Sequence, residues 1–357
     1  MLSNLYTIII MAFTQQDTEC MSLALKLSEL GRASVGANPM VGCVITRDDE
    51  IIAQDFHRQY GEGHAEINTL EQINHEAKNT SLYVTLEPCS HHGKTPPCAD
   101  ALIKAGVKKV IIAMLDPNPL VSGRGVKILQ DANIQVEVGL LEDEASELNR
   151  GFVKRMRTGM PFVTSKIAMS LDGRTAMKNG ESKWITSDAA RKDVHKLRSE
   201  NQAIMTGSGT IINDNPMMTV RLNKIDSNPL RVVIDSNNLI TDKSLNIFSS
   251  NADTLVLNSD NSKTLSNGKL DLQSALTKLG EMGVNNLLLE AGSGLNGAML
   301  EAGLVDEFII YTAPLILGND ARPMIDIPLK TMSEKIKLSI IDIRHVGTDI
   351  KIRATLK

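Results

Sequence analysis

The sequence lacks any block rich in lysine and arginine, and its formal net charge at pH 7 is -4. Proteins dedicated to nucleic acid or to an anionic membrane surface concentrate basic charge, because their affinity for phosphates depends on it. We therefore expect neither nucleic acid nor a membrane as a partner. Low-complexity tracts are also missing, and 42% hydrophobic with 22% charged residues is typical of a globular protein.

Cysteine is scarce as well. The four cysteines are Cys20, Cys43, Cys89 and Cys98. Four are too few to form a disulfide scaffold in a chain of 357 residues, and nothing indicates an oxidising compartment. We therefore expect free thiols or metal ligands in a cytoplasmic protein.

Long apolar runs are missing too. The amino-terminal stretch MLSNLYTIIIM is far shorter than the ~20 residues that span a membrane. It also has no preceding basic residue and no small-residue cleavage site, so it does not resemble a signal peptide. We place residues 1–12 outside the fold and consider Met11 as an alternative start to Met1.

The length of 357 residues exceeds the size at which one core keeps growing, so two domains are expected. In the first half, a helix capped at Asp17 precedes the strand-like runs VGCVI, IIAQDF, SLYVTLE, KKVIIAML and IQVEVG, with helical segments between several of them. This alternation predicts an α/β layer sandwich with a largely parallel sheet.

A charged helix through EDEASELNRGFVKRMR ends near Gly159, and strand-like and helical runs then begin again. The second half, from FVTSKIAMS to IKIRATL, is likewise α/β by its pattern. We therefore predict one domain over residues 13–155 and a second over 160–357.

Two short motifs of the first half carry metal-binding residues. GEGHAE contains His64 and Glu66 at the start of a predicted helix, and EPCSHHGKTPPC contains Cys89 and Cys98. One imidazole and two thiolates leave the fourth position of zinc open for water, as in catalytic sites. In zinc deaminases a non-ligating Glu moves protons, the role expected of Glu66. Because Cys98 begins a helix, we expect the amide dipoles to stabilise its thiolate.

Other interpretations of these residues remain open. His-x-Glu by itself is usually solvated helix surface, and the two cysteines can form a disulfide. A closed structural site can also use Cys89, Cys98 and either His91 or His92. A zinc-stabilised regulatory protein without turnover is a further alternative, although a structural site has no use for a non-ligating acid such as Glu66.

The segments NPMVGCVI, HRQYGEGHAE, TLEPCSHHGKTPPC and DPNPLVSGRG together resemble the deaminase half of the bifunctional deaminase/reductase family of riboflavin biosynthesis. The wide cysteine spacing is that family's pattern, whereas nucleic-acid deaminases, the nearest enzyme alternative, have two residues between the cysteines. The resemblance implies a cytidine-deaminase-like α/β/α sandwich and zinc-dependent hydrolytic removal of one amino group from 2,5-diamino-6-(phosphoribosylamino)pyrimidin-4-one. It also implies that the substrate lies near Asn38, His57, Lys94, Asp116 and Asn118.

The second half contains the glycine-rich turn EAGSGLNGAML, in which Gly292, Gly294 and Gly297 fit G-x-G-x-x-G. This spacing lets backbone amides hold a pyrophosphate. The acidic residue that a Rossmann fingerprint places about twenty residues further on is missing. Either the site is not of the Rossmann type or its cofactor is NADP.

The segments KIAMSLDGRTA, GESKWITS, LRSENQAIMTGSGTIINDNPMMTVR and LLEAGSGLNGAML resemble the reductase half of the same family. The resemblance implies a dihydrofolate-reductase-like α/β domain that binds NADPH and forms homo-oligomers. The implied NADPH contacts are Ala168, Trp184, Thr210, Asp214, Ser236, Gly292, Ser293, Gly294, Leu295, Asn296, Gly297 and Ala298. The implied substrate contacts are Ser182, Arg198, Met218, Arg221, Glu290 and Lys166.

The implied function is thus deamination followed by NADPH-dependent reduction of the ribosyl side chain to ribityl phosphate. Arginine and serine side chains suit a phosphate group. Taken singly, Trp184 can also be a core residue and Arg198 a solvated helix residue.

Overall fold

The computed structural model describes residues 13–90, 97–119, 121–222 and 228–357. The chain divides into two compact units, the first ending at Val153 and the second beginning at Lys154. Among the helices of the described residues, none combines the length and the apolar character needed to cross a membrane.

The first unit alternates strands with helices. Its strands are β1 (Gly42–Arg47), β2 (Glu50–Phe56), β3 (Ser81–Leu86), β4 (Lys109–Met114) and β5 (Gln135–Val138). Its helices are α1 (Gln15–Ser28), α2 (Ala65–Glu71), α3 (Cys98–Ala105), α4 (Arg124–Asp131) and α5 (Glu142–Leu148), and α6 (Arg150–Thr158) runs across the division between the units.

These strands form one sheet in the order β2-β1-β3-β4-β5. The pairs β3/β4 and β4/β5 are parallel, whereas β1 is antiparallel to both β2 and β3. The prediction of a largely parallel sheet is therefore wrong for its first strands. Asp48 and Asp49 both have positive φ and join β1 to β2 in a two-residue turn, and so short a connection allows only antiparallel pairing.

The core of the first unit lies on β3 and β4, which are buried at every residue after the first. Such continuous burial is typical of strands covered on both faces. Helix α1 packs so closely on β1 that a Cβ on Gly42 would lie 1.9 Å from the Ala24 carbonyl oxygen. The cap of α1 is Thr14, with Asp17 closing a capping box, and not Asp17 itself as predicted.

The second unit has a larger sheet. Its strands are β6 (Phe162–Ser170), β7 (Arg174–Ala176), β8 (Ala203–Gly207), β9 (Leu230–Ile234), β10 (Thr254–Leu257), β11 (Asn286–Leu289), β12 (Glu307–Ala313), β13 (Arg322–Pro323), β14 (Leu338–Val346) and β15 (Asp349–Leu356). Its further helices are α7 (Asp188–Ser199), α8 (Ser208–Asp214), α9 (Leu272–Glu281) and α10 (Ser293–Glu301).

Eight of these strands pair in the order β10-β9-β8-β11-β6-β12-β15-β14. Pairing is parallel from β10 to β12 and antiparallel for β15 and β14. The segments that follow β8, β9 and β11 therefore leave the sheet at the same edge. Ligands of open α/β sheets bind at the carboxyl ends of parallel strands, so this edge is where a site is expected.

A buried arginine ties three surface segments of the second unit to β9. Arg231 is 1% exposed, and its guanidinium donates to the carbonyl oxygens of Met217 and Asn246 at 3.3 Å and of Ser249 at 2.6 Å, and also to that of Ala252. Backbone carbonyl groups need donors, so one side chain satisfies several loops at once.

We expect Arg231→Met to lower the free energy of unfolding by about 3 kcal/mol, because it removes the donor of several partly buried carbonyl oxygens. The measurement is urea unfolding followed by circular dichroism, with Arg157→Met at an exposed position as the matched control. Equal midpoints for the two variants would show that Arg231 does not hold these segments.

Candidate active sites

Three potential metal ligands from distant parts of the first unit meet in one cluster. His64 is the N-cap of α2, Cys89 follows β3, and Cys98 is the first residue of α3. The His64 Nδ1 atom lies 3.2 Å from Cys98 Sγ and 3.6 Å from Cys89 Sγ, and the three ligand atoms all lie within 4.8 Å of one another. One nitrogen and two sulfur donors suit zinc and leave a fourth position open.

Both cysteines are free, so the disulfide alternative is not formed. The closed-site alternative involves His91 and His92, which lie outside the described residues, as does Lys94.

The helix start also contacts the sulfur of Cys89, which was not predicted. The Cys98 backbone N–H donates to Cys89 Sγ at 3.2 Å, because the first amide of a helix points back to the preceding turn and away from its own side chain. The Cys98 thiol holds the pKa of Cys89 well below its usual range, and His64 adds to this against the effect of burial. The hydrogen bond to Cys89 raises the pKa of Cys98.

Glu66 lies beside this cluster on the first turn of α2 and is 3% exposed. His64 has the extended backbone of an N-cap, so its side chain leaves the helix direction and both residues can face one site. Burial, together with the negative charge of Cys89, raises the pKa of Glu66 to about 7. A carboxyl group that titrates near neutrality is suited to accept and return a proton.

Asn38 and His57, both predicted near the substrate, contact each other beside the metal cluster. His57 Nδ1 lies 3.0 Å from the Gly63 carbonyl oxygen and must donate to it, so Nε2 accepts from Asn38 Nδ2 at 3.0 Å. Burial lowers the pKa of His57, which keeps the ring neutral. The rings of His57 and His64 are 5.5 Å apart.

Glu87 holds the loop that follows β4, a role that was not predicted from the sequence. Its buried carboxylate accepts backbone N–H groups from Asp116 at 3.1 Å, Gly123 at 2.9 Å and Gly125 at 2.8 Å, with Val126 at 3.4 Å. The loop it holds contains the predicted substrate residues Asp116 and Asn118. The available signal was an acidic residue at the end of a buried strand, directly before Pro-Cys.

In the second unit the glycine-rich turn lies at the carboxyl edge of the sheet, where α10 begins with Gly292 as its N-cap. Added Cβ atoms on Gly292 and Gly294 would meet nothing within 4 Å, whereas one on Gly297 would lie 2.0 Å from the Asp326 carbonyl oxygen. The first two glycines therefore leave open space for a ligand, and the third allows close packing. Asn296 is buried and bonds to Ser165 and to the Ala291 carbonyl.

Four of the other predicted NADPH contacts lie around the same edge. Thr210 and Asp214 are on α8 directly after β8, Ser236 follows β9, and Ala168 is on β6, the neighbour of β11. Trp184 is 67% exposed, so the alternative that it is a core residue is wrong. The Arg191 guanidinium lies 4.4 Å from the centre of its ring.

Three of the six predicted reductase substrate contacts join in one ionic group. Glu290, directly after β11, accepts from Arg198 Nε at 2.6 Å and Nη2 at 2.9 Å, and Lys166 Nζ lies 3.1 Å away. Burial alone would raise the pKa of Glu290, but the charges of Arg198 and Lys166 hold it well below its usual range. The Arg198 side chain is 13% exposed, so the alternative of a solvated helix residue is wrong.

Arg198 also connects this group to the segment that holds Met218 and Arg221. Its Nη1 donates to the Thr219 carbonyl at 3.0 Å. His195 lies one turn before Arg198 on α7 and contacts Arg221. This residue was not predicted from the sequence, although its i, i+3 spacing from Arg198 places both side chains on one helix face. The described contacts do not link Ser182 to this group.

We expect Glu87→Gln to destabilise the first unit by about 2 kcal/mol, because an amide has one acceptor oxygen in place of two and turns an N–H group toward other donors. Thermal unfolding and zinc content are the measurements, with the exposed Glu76→Gln as control. A melting temperature equal to that of the control would contradict the role of Glu87 in holding the loop.

Comparison with known proteins identifies both halves of the chain. Residues 14–114 match the family model of the cytidine and deoxycytidylate deaminase zinc-binding region, and residues 161–352 match that of the RibD C-terminal domain. Together with the solved structures below, these matches confirm the predicted fold class, a cytidine-deaminase-like α/β/α sandwich followed by a dihydrofolate-reductase-like α/β domain.

Full-length relatives are similar over nearly the whole chain. The riboflavin biosynthesis protein RibD of Escherichia coli (strain K12) is 45% identical, over 94% of this chain and 98% of the relative. That of Haemophilus influenzae is 43% identical, over 97% and 99%.

Two solved structures share this architecture. That of Acinetobacter baumannii RibD superposes with a TM-score of 0.89 at 41% identity and covers 96% of this chain and 99% of its own. A Thermotoga maritima diaminohydroxyphosphoribosylaminopyrimidine deaminase/5-amino-6-(5-phosphoribosylamino)uracil reductase gives 0.87 at 32% identity, with the same coverage. By these matches the chain belongs to the RibD family, the bifunctional deaminase/reductases of riboflavin biosynthesis, with a zinc-binding deaminase domain and an NADPH-dependent reductase domain.

Proposed function

We propose that the first unit deaminates 2,5-diamino-6-(phosphoribosylamino)pyrimidin-4-one to 5-amino-6-(5-phosphoribosylamino)uracil. The second unit then reduces the ribosyl side chain of that product to ribityl phosphate with NADPH. The observation that carries this proposal is the buried acid Glu66 beside three zinc-type ligands in a chain that also has the reductase domain.

In the deaminase, His64, Cys89 and Cys98 hold zinc. Bound zinc supplies the activation of a water molecule near neutral pH. Glu66 takes a proton from the attacking water and returns it to the departing amine, for which its position and raised pKa suit it.

The substrate of the deaminase lies against Asn38 and His57 on one side and the loop of Asp116 and Asn118 on the other. Neutral His57 accepts from the Asn38 amide and fixes its orientation, and that amide can hydrogen-bond a polar ring without introducing a charge. Lys94, outside the described residues, is proposed as a further contact from the family resemblance alone.

In the reductase, the segments at the carboxyl ends of β8, β9 and β11 bind NADPH, which supplies the hydride. The ribosylamine opens to an imine, and the carbon of that imine is the hydride acceptor. Lys166, Arg198 and Arg221 outweigh the single carboxylate of Glu290, so the substrate side carries net positive charge for a phosphate. These residues bind and orient the substrate.

Several broader features belong to the same proposal. The deaminase domain comprises residues 13–155 and the reductase domain 160–357, and the enzyme acts in the cytoplasm on a small phosphorylated pyrimidine and not on nucleic acid. It forms a homo-oligomer, which the edge strand β14 supports, because Ile340, Ile341 and Ile343 on it are 54–60% exposed.

The direct test is incubation of the purified protein with the diaminopyrimidine, with and without NADPH. Ammonia release and NADPH oxidation are followed separately. Ammonia release without NADPH, and NADPH oxidation only after deamination, are expected. NADPH oxidation with no ammonia release would contradict the proposed order.

We expect Glu66→Gln to retain zinc and to reduce deamination by at least about 100-fold, because the amide cannot accept the proton. Zinc content is measured by elemental analysis and activity by ammonia release, with Glu76→Gln as the exposed control. Reduction of the deaminated substrate should continue at the normal rate. Full deamination by this variant would remove Glu66 from the mechanism.

We expect Arg198→Lys to lower kcat/KM of the reduction by about 10- to 100-fold, because lysine keeps the charge but loses the two-point contact with Glu290. Deamination serves as the internal control for folding. The reverse exchange at an exposed position of α7, Lys196→Arg, should leave both activities unchanged. Loss of both activities in Arg198→Lys would indicate misfolding and not a reductase role.

A further inference from the structure

His195 makes two contacts that relate it to the proposed phosphate site of the reductase. On α7 it lies one turn before Arg198, and its side chain reaches the segment that follows Met218. One contact is with the backbone of Arg221, whose N–H lies 3.3 Å from His195 Nδ1. The other contact is with the side chain of Arg221, whose Nε lies 3.2 Å from His195 Nε2.

Both contacts exclude a doubly protonated imidazole. Arg221 Nε and the Arg221 backbone N–H can only donate, and a neutral imidazole has one accepting nitrogen, so the ring accepts from one of them at a time. With the hydrogen on Nδ1, Nε2 is the acceptor for Arg221 Nε.

The charges around His195 favour the same neutral form. Burial, together with the positive charges of Arg198 and Arg221, lowers the pKa of His195 to about 4, against the opposing effect of Glu290. The ring therefore stays an acceptor at any pH near neutrality.

We propose that His195 is a positioning residue of the reductase, which occupies the Nε–H of Arg221 and leaves both terminal nitrogens of that guanidinium to the phosphate of the substrate. This inference rests on the proposed function, since it requires a phosphorylated substrate of the reductase. A guanidinium recognises phosphate best through paired N–H groups, and fixing its inner nitrogen reduces the freedom lost when the phosphate binds.

The test compares the deaminated substrate with its dephosphorylated analogue in steady-state reduction by the full-length enzyme. His195→Leu removes the acceptor, and we expect KM for the phosphorylated substrate to rise about tenfold with kcat little changed, as for one lost hydrogen bond to a charged group. KM for the dephosphorylated analogue should stay as in the wild type. His195→Gln, which keeps an acceptor oxygen, should restore most of the affinity.

Two further variants separate positioning from a structural role. Lys192→Leu makes the same kind of exchange at an exposed position of α7 and should behave as the wild type. In an Arg221→Ala background, His195→Leu should add no further loss. Equal damage to both substrates by His195→Leu, or an additive loss in the double variant, would overturn the inference.

Failure of the proposed function itself would look different. Wild-type enzyme that oxidises no NADPH with the deaminated substrate would overturn the proposed reduction and this inference with it. Normal reduction by His195→Leu with an unchanged KM would overturn only the role of His195.

Discussion

A buried carboxylate that directly follows a central strand organises each half of this chain. Glu87 comes after β3 in the deaminase unit, and Glu290 comes after β11 in the reductase unit. An ionised carboxylate without partners is too costly to bury, so each must collect donors from the surrounding segments. The donors it collects determine which parts of the chain converge at the carboxyl edge of the sheet.

The two carboxylates obtain their donors from different groups, backbone amides in one unit and charged side chains in the other. Glu87 accepts backbone amides, which brings no new charge next to the zinc-type ligands and holds a loop at a fixed distance from them. Glu290 accepts from Arg198 and Lys166, and these bring more positive charge than it neutralises. The first arrangement stabilises the shape of a loop, and the second also brings an excess of positive charge to the edge of the sheet.

Around Glu66, burial and the charge of Cys89 together raise the pKa of the carboxyl group. The carboxyl group is as buried as that of Glu87 but faces the thiolate of Cys89 and not a set of amides. Its charged form is therefore disfavoured. Two equally buried carboxyl groups of one unit thus have different surroundings, backbone amides around Glu87 and a thiolate beside Glu66.

Residue types and spacing alone were sufficient to predict the α/β class, two domains, the set His64, Cys89 and Cys98, and the glycine-rich turn, because each depends on local pattern or on the chemistry of the side chains themselves. Family resemblance added the reactions. Tertiary structure alone decided the antiparallel start of the first sheet, the contact between the start of α3 and Cys89, and the hydrogen bonds of Glu87 and His195. Each of these depends on which donor or acceptor a distant segment brings to a buried group, and neither periodicity nor composition carries that information.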